Sequence, residues 1–144
     1  WGKAEHGLRL HIDLDRKICL LNEDKVRISF TIQNIADRDI PITLALTAEE
    51  RTDLRLTDEQ GRSRTIPGYR GMRLATQAEW RIVPPGGFAK VNMTLNPEAH
   101  GLAPGAYRVQ GVFRYAGPHT DPTLKQDFQL YSNEVALLIT RSGA

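Results

Sequence analysis

From residue 26 to residue 33 every second side chain is apolar: Val26, Ile28, Phe30 and Ile32 alternate with Arg27, Ser29, Thr31 and Gln33. A period of two is the repeat of a β-strand with one face buried and one wet, and on a helix the same residues would scatter around the whole circumference. The pattern recurs along the chain. Leu8, Leu10, Ile12 and Leu14 show it first, followed by a short apolar run at 18–21 that continues the same edge after a bend at 15–17. Ile40, Ile42, Leu44 and Leu46 repeat it, then Leu54 with Leu56, then Trp80 with Ile82, then a strand carrying Phe88, Val91, Met93 and Leu95. Tyr107, Val109, Gly111, Phe113 and Tyr115 form the longest example, and Phe128, Leu130, Val135, Leu137 and Ile139 close the chain. A short helical turn is expected only at 47–52, where Ala48, Glu49 and Glu50 are good helix formers.

Between these runs lie residues that reverse a chain. Asp58, Glu59, Gln60 and Gly61 read as a hairpin tip, acidic at the start and closed by a glycine free to take positive φ. Pro84, Pro85, Gly86 and Gly87 break one strand before the next begins. Residues 34–39 are a polar turn, and 67–77 and 116–125 are long loops. Pro41, lacking an N–H, belongs at a sheet edge or among a strand's first residues. Seven or more short strands without intervening helices predict an antiparallel sandwich. At 144 residues the chain holds one core, so residues 1–144 are read as a single domain.

The segment Leu102, Ala103, Pro104, Gly105, Ala106, Tyr107 reads L-x-P-G-x-Y just before a strand. It resembles the tyrosine corner of immunoglobulin-like and fibronectin type III-like sandwiches, in which a tyrosine opening strand F bonds to backbone a few residues upstream. The resemblance gives Leu102, Pro104, Gly105 and Tyr107 structural roles and places the Tyr107 hydroxyl near the Leu102 backbone. Its removal is expected to cost more than removal of the Tyr115 hydroxyl. With Tyr107 opening strand F, loops 34–39, 84–87 and 116–125 share one end of the sandwich. Loops 48–52, 67–77 and 97–105 share the other. Nearly the whole chain resembles bacterial immunoglobulin-like modules of exported proteins, through "KVRISFTIQNIADRDIPI", "LRLTDEQGR", "VPPGGFAKVNMTL", "GLAPGAYRVQGVFRY" and "SNEVALLI". Residues 26–115 are also similar to the bacterial intracellular proteinase inhibitor family. These likenesses imply an all-β fold, an immunoglobulin-like antiparallel β-sandwich with Greek-key connections, and an extracytoplasmic location.

Catalytic constellations are not evident. Cys19, the one cysteine, lies in an apolar run and reads as a buried, inert thiol. His6, His11, His100 and His119 show no metal-ligand spacing, and there is no phosphate-binding glycine loop, so neither an enzyme nor a cofactor is expected. A net charge of +2 without a concentrated basic face argues against nucleic acid, and no apolar run is long enough to insert into a membrane. One stretch is uneven in charge. Residues 60–78 contain no acid but hold Arg62, Arg64, Arg70 and Arg73, with Tyr69 among them. Tyr69, Arg70 and Arg73, joined by His100 from the same end, are the candidate binding residues; the competing reading pairs the arginines with Asp53, Asp58 and Glu59. The expected function is a non-catalytic binding or structural module that meets a protein partner through its loops. The alternatives are a protease inhibitor using loop 67–77 and a polysaccharide-binding accessory domain, for which Tyr69, Trp80 and Tyr131 are the available aromatics.

Overall fold

The structure, a computed structural model, describes residues 1–21, 24–43, 52–67, 80–116 and 127–141. Its strands are β1 (Leu8–Leu14), β2 (Ile18–Leu20), β3 (Val26–Asn34), β4 (Ile40–Thr43), β5 (Thr52–Thr57), β6 (Ser63–Pro67), β7 (Trp80–Val83), β8 (Phe88–Leu95), β9 (Gly105–Ala116) and β10 (Asp127–Thr140). One sheet runs β1-β3-β8, a second runs β2-β10-β9-β5-β6, and β4 with β7 forms a short ribbon. The first two strands decide the topology. β1 pairs with β3, whereas β2 crosses to the second sheet and lies parallel to the final strand, β10. With β9 between β10 and β5, this is the A, B, E against A′, G, F, C, C′ order of an immunoglobulin-like Greek-key sandwich. Every other pairing is antiparallel. Among the described residues no helix is long and apolar enough to cross a membrane.

The run at 18–21 therefore does not continue the first edge. Asp15 closes β1 by giving its N–H to the Arg27 carbonyl (3.0 Å) and accepting the Arg27 N–H on its own carboxylate (2.9 Å). The chain then leaves, and Leu138 N–H to Lys17 C=O and Leu21 N–H to Thr140 C=O hold it against β10. Cys19 turns inward and is fully buried. Burial, then the nearby Asp24 carboxylate, pushes its thiol pKa up, so the thiol stays protonated. Asp24 accepts the Leu20 N–H at 3.0 Å, which, with Arg16 at 2.8 Å, holds its carboxyl below the usual range.

Parity governs the core. The inward residues of both sheets, from Leu8 to Ile139, form one contiguous buried cluster, with Phe30 and Phe113 the largest of its fully buried side chains. Burying each such side chain contributes about 1.5–3 kcal/mol. On β10 a bulge opposes Ser132 and Asn133 to Gly111 alone. The Gly111 N–H bonds to the Ser132 hydroxyl at 2.7 Å, and the Asn133 amide spans to Ile12, accepting its N–H (3.0 Å) and donating to its C=O (3.4 Å). The extra residue thus lets a side chain stand in for a strand and join the two sheets at the β1 edge.

A second closure of that edge is local. Glu5 and Leu8 exchange backbone hydrogen bonds across His6 (φ 51°) and Gly7 (φ 83°), two successive positive φ values that define a type I′ hairpin turn. Residues 2–5 fold back along β1, with Gly2 N–H on the Leu10 carbonyl. A side chain at residue 2 would meet the Tyr131 carbonyl at 1.7 Å.

The expected hairpin tip is present. Asp58 accepts the N–H groups of Gln60 and Arg62 on its carboxylate, and Gly61 takes φ 83°. The tip, however, corrects the expected sorting of loops. β5 runs from Thr52, opposite Phe113, to Thr57, opposite Arg108, so residues 58–62 reach the end carrying 97–105. β6 then returns to Pro67, opposite Asp53, so residues 52 and 67 lie back along the strands and not at that end. The expectation failed because it takes 40–43 and 52–57 as successive reversals, whereas β4 begins beside Tyr115 and β5 begins at Thr52 opposite Phe113, so both start near the same end of β9. Loops 34–39 and 84–87 do share an end: Asn34 exchanges backbone hydrogen bonds with Gly86 and Gly87. The helical turn expected at 47–52 falls outside the described residues up to 51, and Thr52 opens β5.

The tyrosine corner is in place one residue from where it was expected. The Tyr107 hydroxyl donates to the Ala103 carbonyl at 2.6 Å, not to Leu102, while Leu102 is buried beneath the turn. Burial, then the Asp58 carboxylate, raises the Tyr107 pKa, which keeps the donor protonated. Because Ala103 is exposed, its freed carbonyl can turn to water, and Tyr107→Phe should cost only about 0.5–1.5 kcal/mol. Tyr115 is the more buried of the two and donates to Pro41 C=O at 2.9 Å, tying β9 to β4. Tyr115→Phe should therefore destabilise more than Tyr107→Phe in urea melts, the reverse of the order expected from sequence. A larger loss at Tyr107 would contradict this assignment.

Candidate functional site

The outer face of β1-β3-β8 collects the functional features. Register sets its rows: Arg9, Gln33 and Phe88 lie side by side, then His11, Thr31 and Lys90, then Asp13, Ser29 and Asn92. All sit at the wet parity of their strands. Trp1 lies over the first rows, its ring 5.3 Å from His11 and 6.4 Å from Phe88, the latter nearly parallel at 23°. The Arg9 guanidinium stands 4.2 Å from the Trp1 ring centroid and is itself fixed by donation to the Gln33 side-chain oxygen at 2.7 Å. Such a cation over an indole face is electrostatically attractive and restricts both groups. Trp1 and Phe88 remain 46% and 49% exposed, so two large rings are held in place yet available. Beyond them the face opens into a groove of about 610 Å³, lined by Asp13, Leu14, Asp15, Arg27, Ser29, Asn92 and Thr94.

The residues expected to bind are placed differently. Tyr69, Arg70, Arg73 and the rest of loop 67–77 after Pro67 lie outside the described residues, as does His119. His100 is half-buried in a turn at 97–101, with Nδ1 2.8 Å from the Asn96 carbonyl, which makes it part of the turn's own framework. Arg64 does not pair with Asp53, Asp58 or Glu59. Its guanidinium donates to the carbonyls of His100 and Gly101. Asp58 is occupied by backbone amides, Glu59 accepts the Ala106 N–H at 3.0 Å, and Asp53 faces Arg114 at 3.6 Å. The hairpin tip is in this way clasped to the tyrosine corner. Pro104 and Gly105 lead into β9, Gly105 with φ 154°. Of the aromatics considered for a sugar platform, Tyr131 is exposed and donates to the Gln129 side chain. Trp80 stands in β7 opposite Thr43.

Trp1, Arg9 and Phe88 were not singled out from sequence, although Phe88 carried a signal. It shares parity with Lys90, Asn92 and Thr94 and not with Val91, Met93 and Leu95, which places it outward.

No family model matches this chain, and no curated protein does. Solved structures similar to it include a β-glucosidase from Erythrobacter marinus, at 21% identity over 88% of this chain and 15% of that one, with a TM-score of 0.43. A β-glucosidase from Listeria innocua matches at 16% identity over 92% of this chain and 17% of that one, TM-score 0.42. The PapD-like domain 7 of human CEP192 matches at 14% identity over 91% of this chain and 86% of that one, TM-score 0.39. The chain thus spans less than a fifth of the length of either β-glucosidase.

Proposed function

We propose that this domain is a non-catalytic binding module that holds a protein partner against the outer face of β1-β3-β8, with Trp1, Arg9 and Phe88 as anchors. The observation that carries the reading is the stacked pair of half-exposed rings, with an arginine held over the Trp1 ring. Tryptophan and arginine are the residue types that concentrate binding energy at protein interfaces, and side chains already immobilised lose little entropy on binding. This moves the contact from the loops to a sheet face. Placement in an exported bacterial protein rests on the sequence resemblance alone, and fractionation of cells making the parent protein tests it.

A second reading is favoured by the groove next to the rings. Its carboxylates, amide and hydroxyls beside an aromatic platform suit a polysaccharide, whose sugar faces stack on rings while the hydroxyls bond to polar side chains. One double variant tests both. Trp1→Ala with Phe88→Ala should leave the melting temperature within a few degrees of wild type, because both rings are on the surface. Capture of a protein from extract of the source cells should fall by about thirtyfold or more. Capture unchanged by the double variant would sink the proposal, and ring-dependent signal on a glycan array alone would replace it with the polysaccharide reading.

A further inference from the structure

The three-stranded sheet has two edges, and they are treated differently. At β1, residues 2–5 and the Asn133 amide take up outward-facing backbone groups. At β8 no described strand pairs with the far side. Alternation along β3 identifies which β8 groups are left over. Asn34 bonds toward the β8 side through Gly86 and Gly87, while Ile35 bonds to Gly7 and Arg27 to Asp15 on the β1 side. Even-numbered residues of β3 thus serve β8, and their register partners are Ala89, Val91, Met93 and Leu95. Phe88, Lys90, Asn92 and Thr94 therefore turn their N–H and C=O groups to the open edge. The edge alternates cleanly between buried and exposed side chains. It lacks proline and bulge, and Lys90 is its one charged residue. Protective devices are few for an edge of this length.

We propose that β8 pairs antiparallel with β8 of a second copy of this chain about a two-fold axis at Val91, making one continuous six-stranded sheet. That register satisfies what such a pairing requires. Residues facing each other have the same parity, so Ala89 meets Met93 and Val91 meets Val91 on the core side, while Phe88 meets Thr94 and Lys90 meets Asn92 on the outer side. The residues brought into hydrogen-bonding positions are the same four whose backbone groups are free, and each one is used. Lys90 faces an amide and not its own copy, so like charges are not opposed. Val91 and Met93, the core side chains left slightly exposed at this edge, become covered. An axis shifted to Asn92 would leave Phe88 outside the hydrogen-bonded run. A single strand pair is a small interface, so the dimer is of the weak, exchanging kind. The inference does not rest on the aromatic anchors: of Phe88 it uses the backbone groups and not the ring.

Sedimentation equilibrium of the whole chain over a concentration series, with two charge variants at one position, tests it. Asn92→Asp sets an acid opposite Lys90 twice over, and Asn92→Lys sets a second lysine there twice. The dimer dissociation constant should fall about three- to tenfold in the first and rise by a similar factor in the second, with both effects shrinking in high salt. Asn92 is exposed, and melting of each variant at low concentration checks that the monomer is intact. Hydrogen exchange supplies a second readout: amides of Phe88, Lys90, Asn92 and Thr94 should gain protection as concentration rises. A wild type that stays monomeric to about 1 mM would overturn the proposal and leave the edge to a foreign strand. Variants that shift association in the same direction, or protection gained at amides other than these, would overturn it equally.

Discussion

Asn34→Ala is expected to lower the free energy of unfolding by about 2–4 kcal/mol, because it strips the partners from several backbone groups at once. Asn34 is fully buried at the end of β3. Its side-chain amide donates to the carbonyls of Arg38 (2.7 Å) and Val83 (2.9 Å), and its oxygen accepts the Ala36 N–H at 2.8 Å. One side chain thereby shapes the turn at 34–39 and fastens the end of β7 to it. Arg38 and Ala36 can find water when the amide is gone, but the carbonyl at Val83, itself 1% exposed, has less access to it. Asn34→Asp separates hydrogen bonding from volume. A carboxylate still accepts from Ala36 but faces two carbonyls, which raises its folded-state pKa above the unfolded value. Stability should then be lowest at neutral pH and recover as pH falls through the carboxyl range, when the protonated form regains a donor. Urea unfolding at pH 7 and pH 4 measures both effects. A loss under about 1 kcal/mol for Asn34→Ala would show that the network contributes little beyond an ordinary single bond.

Gly111→Val should cost about 3 kcal/mol or more, and Gly111→Ala about 1–3 kcal/mol, through overpacking and not through lost contacts. A Cβ at residue 111 would lie 2.5 Å from Ile12 Cγ2 and 2.7 Å from Phe30 Cε2. Both neighbours are fully buried, and Gly111 lies opposite the β10 bulge, so the backbone is pinned from the other side by Ser132. Room can be made only by moving both the Ile12 side chain and the Phe30 ring. Phe30→Leu should therefore be less damaging in the Gly111→Ala background than in wild type, a coupling measurable as a double-mutant cycle. Additive losses would mean that the ring and residue 111 do not compete for the same space.

Much of the fold was legible because a strand's period is local. The alternation at 26–33 needs no distant residue to be read, and neither does the turn at 58–61, where the aspartate carboxylate and the glycine's positive φ complete a motif within a few residues. The tyrosine corner was legible for the same reason, its bond spanning from Tyr107 to Ala103. The His6-Gly7 turn is equally local, but histidine at its first central position replaces the asparagine or aspartate that ordinarily marks a type I′ turn in a sequence.

What tertiary structure alone decided is which edge each strand joins. Nothing in 18–21 distinguishes continuing along β3 from crossing to β10. The choice follows from Asp15 closing β1 and from the carbonyl and amide groups waiting on β10. The burial of Asn34 and the reach of Asn133 to Ile12, 121 positions away, are settled by groups far off in sequence. The site followed the same rule. Alternation put Arg9, His11 and Phe88 on wet faces, but only the register of three strands set them side by side under Trp1. Side-chain direction is a property of one strand and is written in its residues; adjacency is a property of strand pairs, set by backbone hydrogen bonds that are chemically alike at every position.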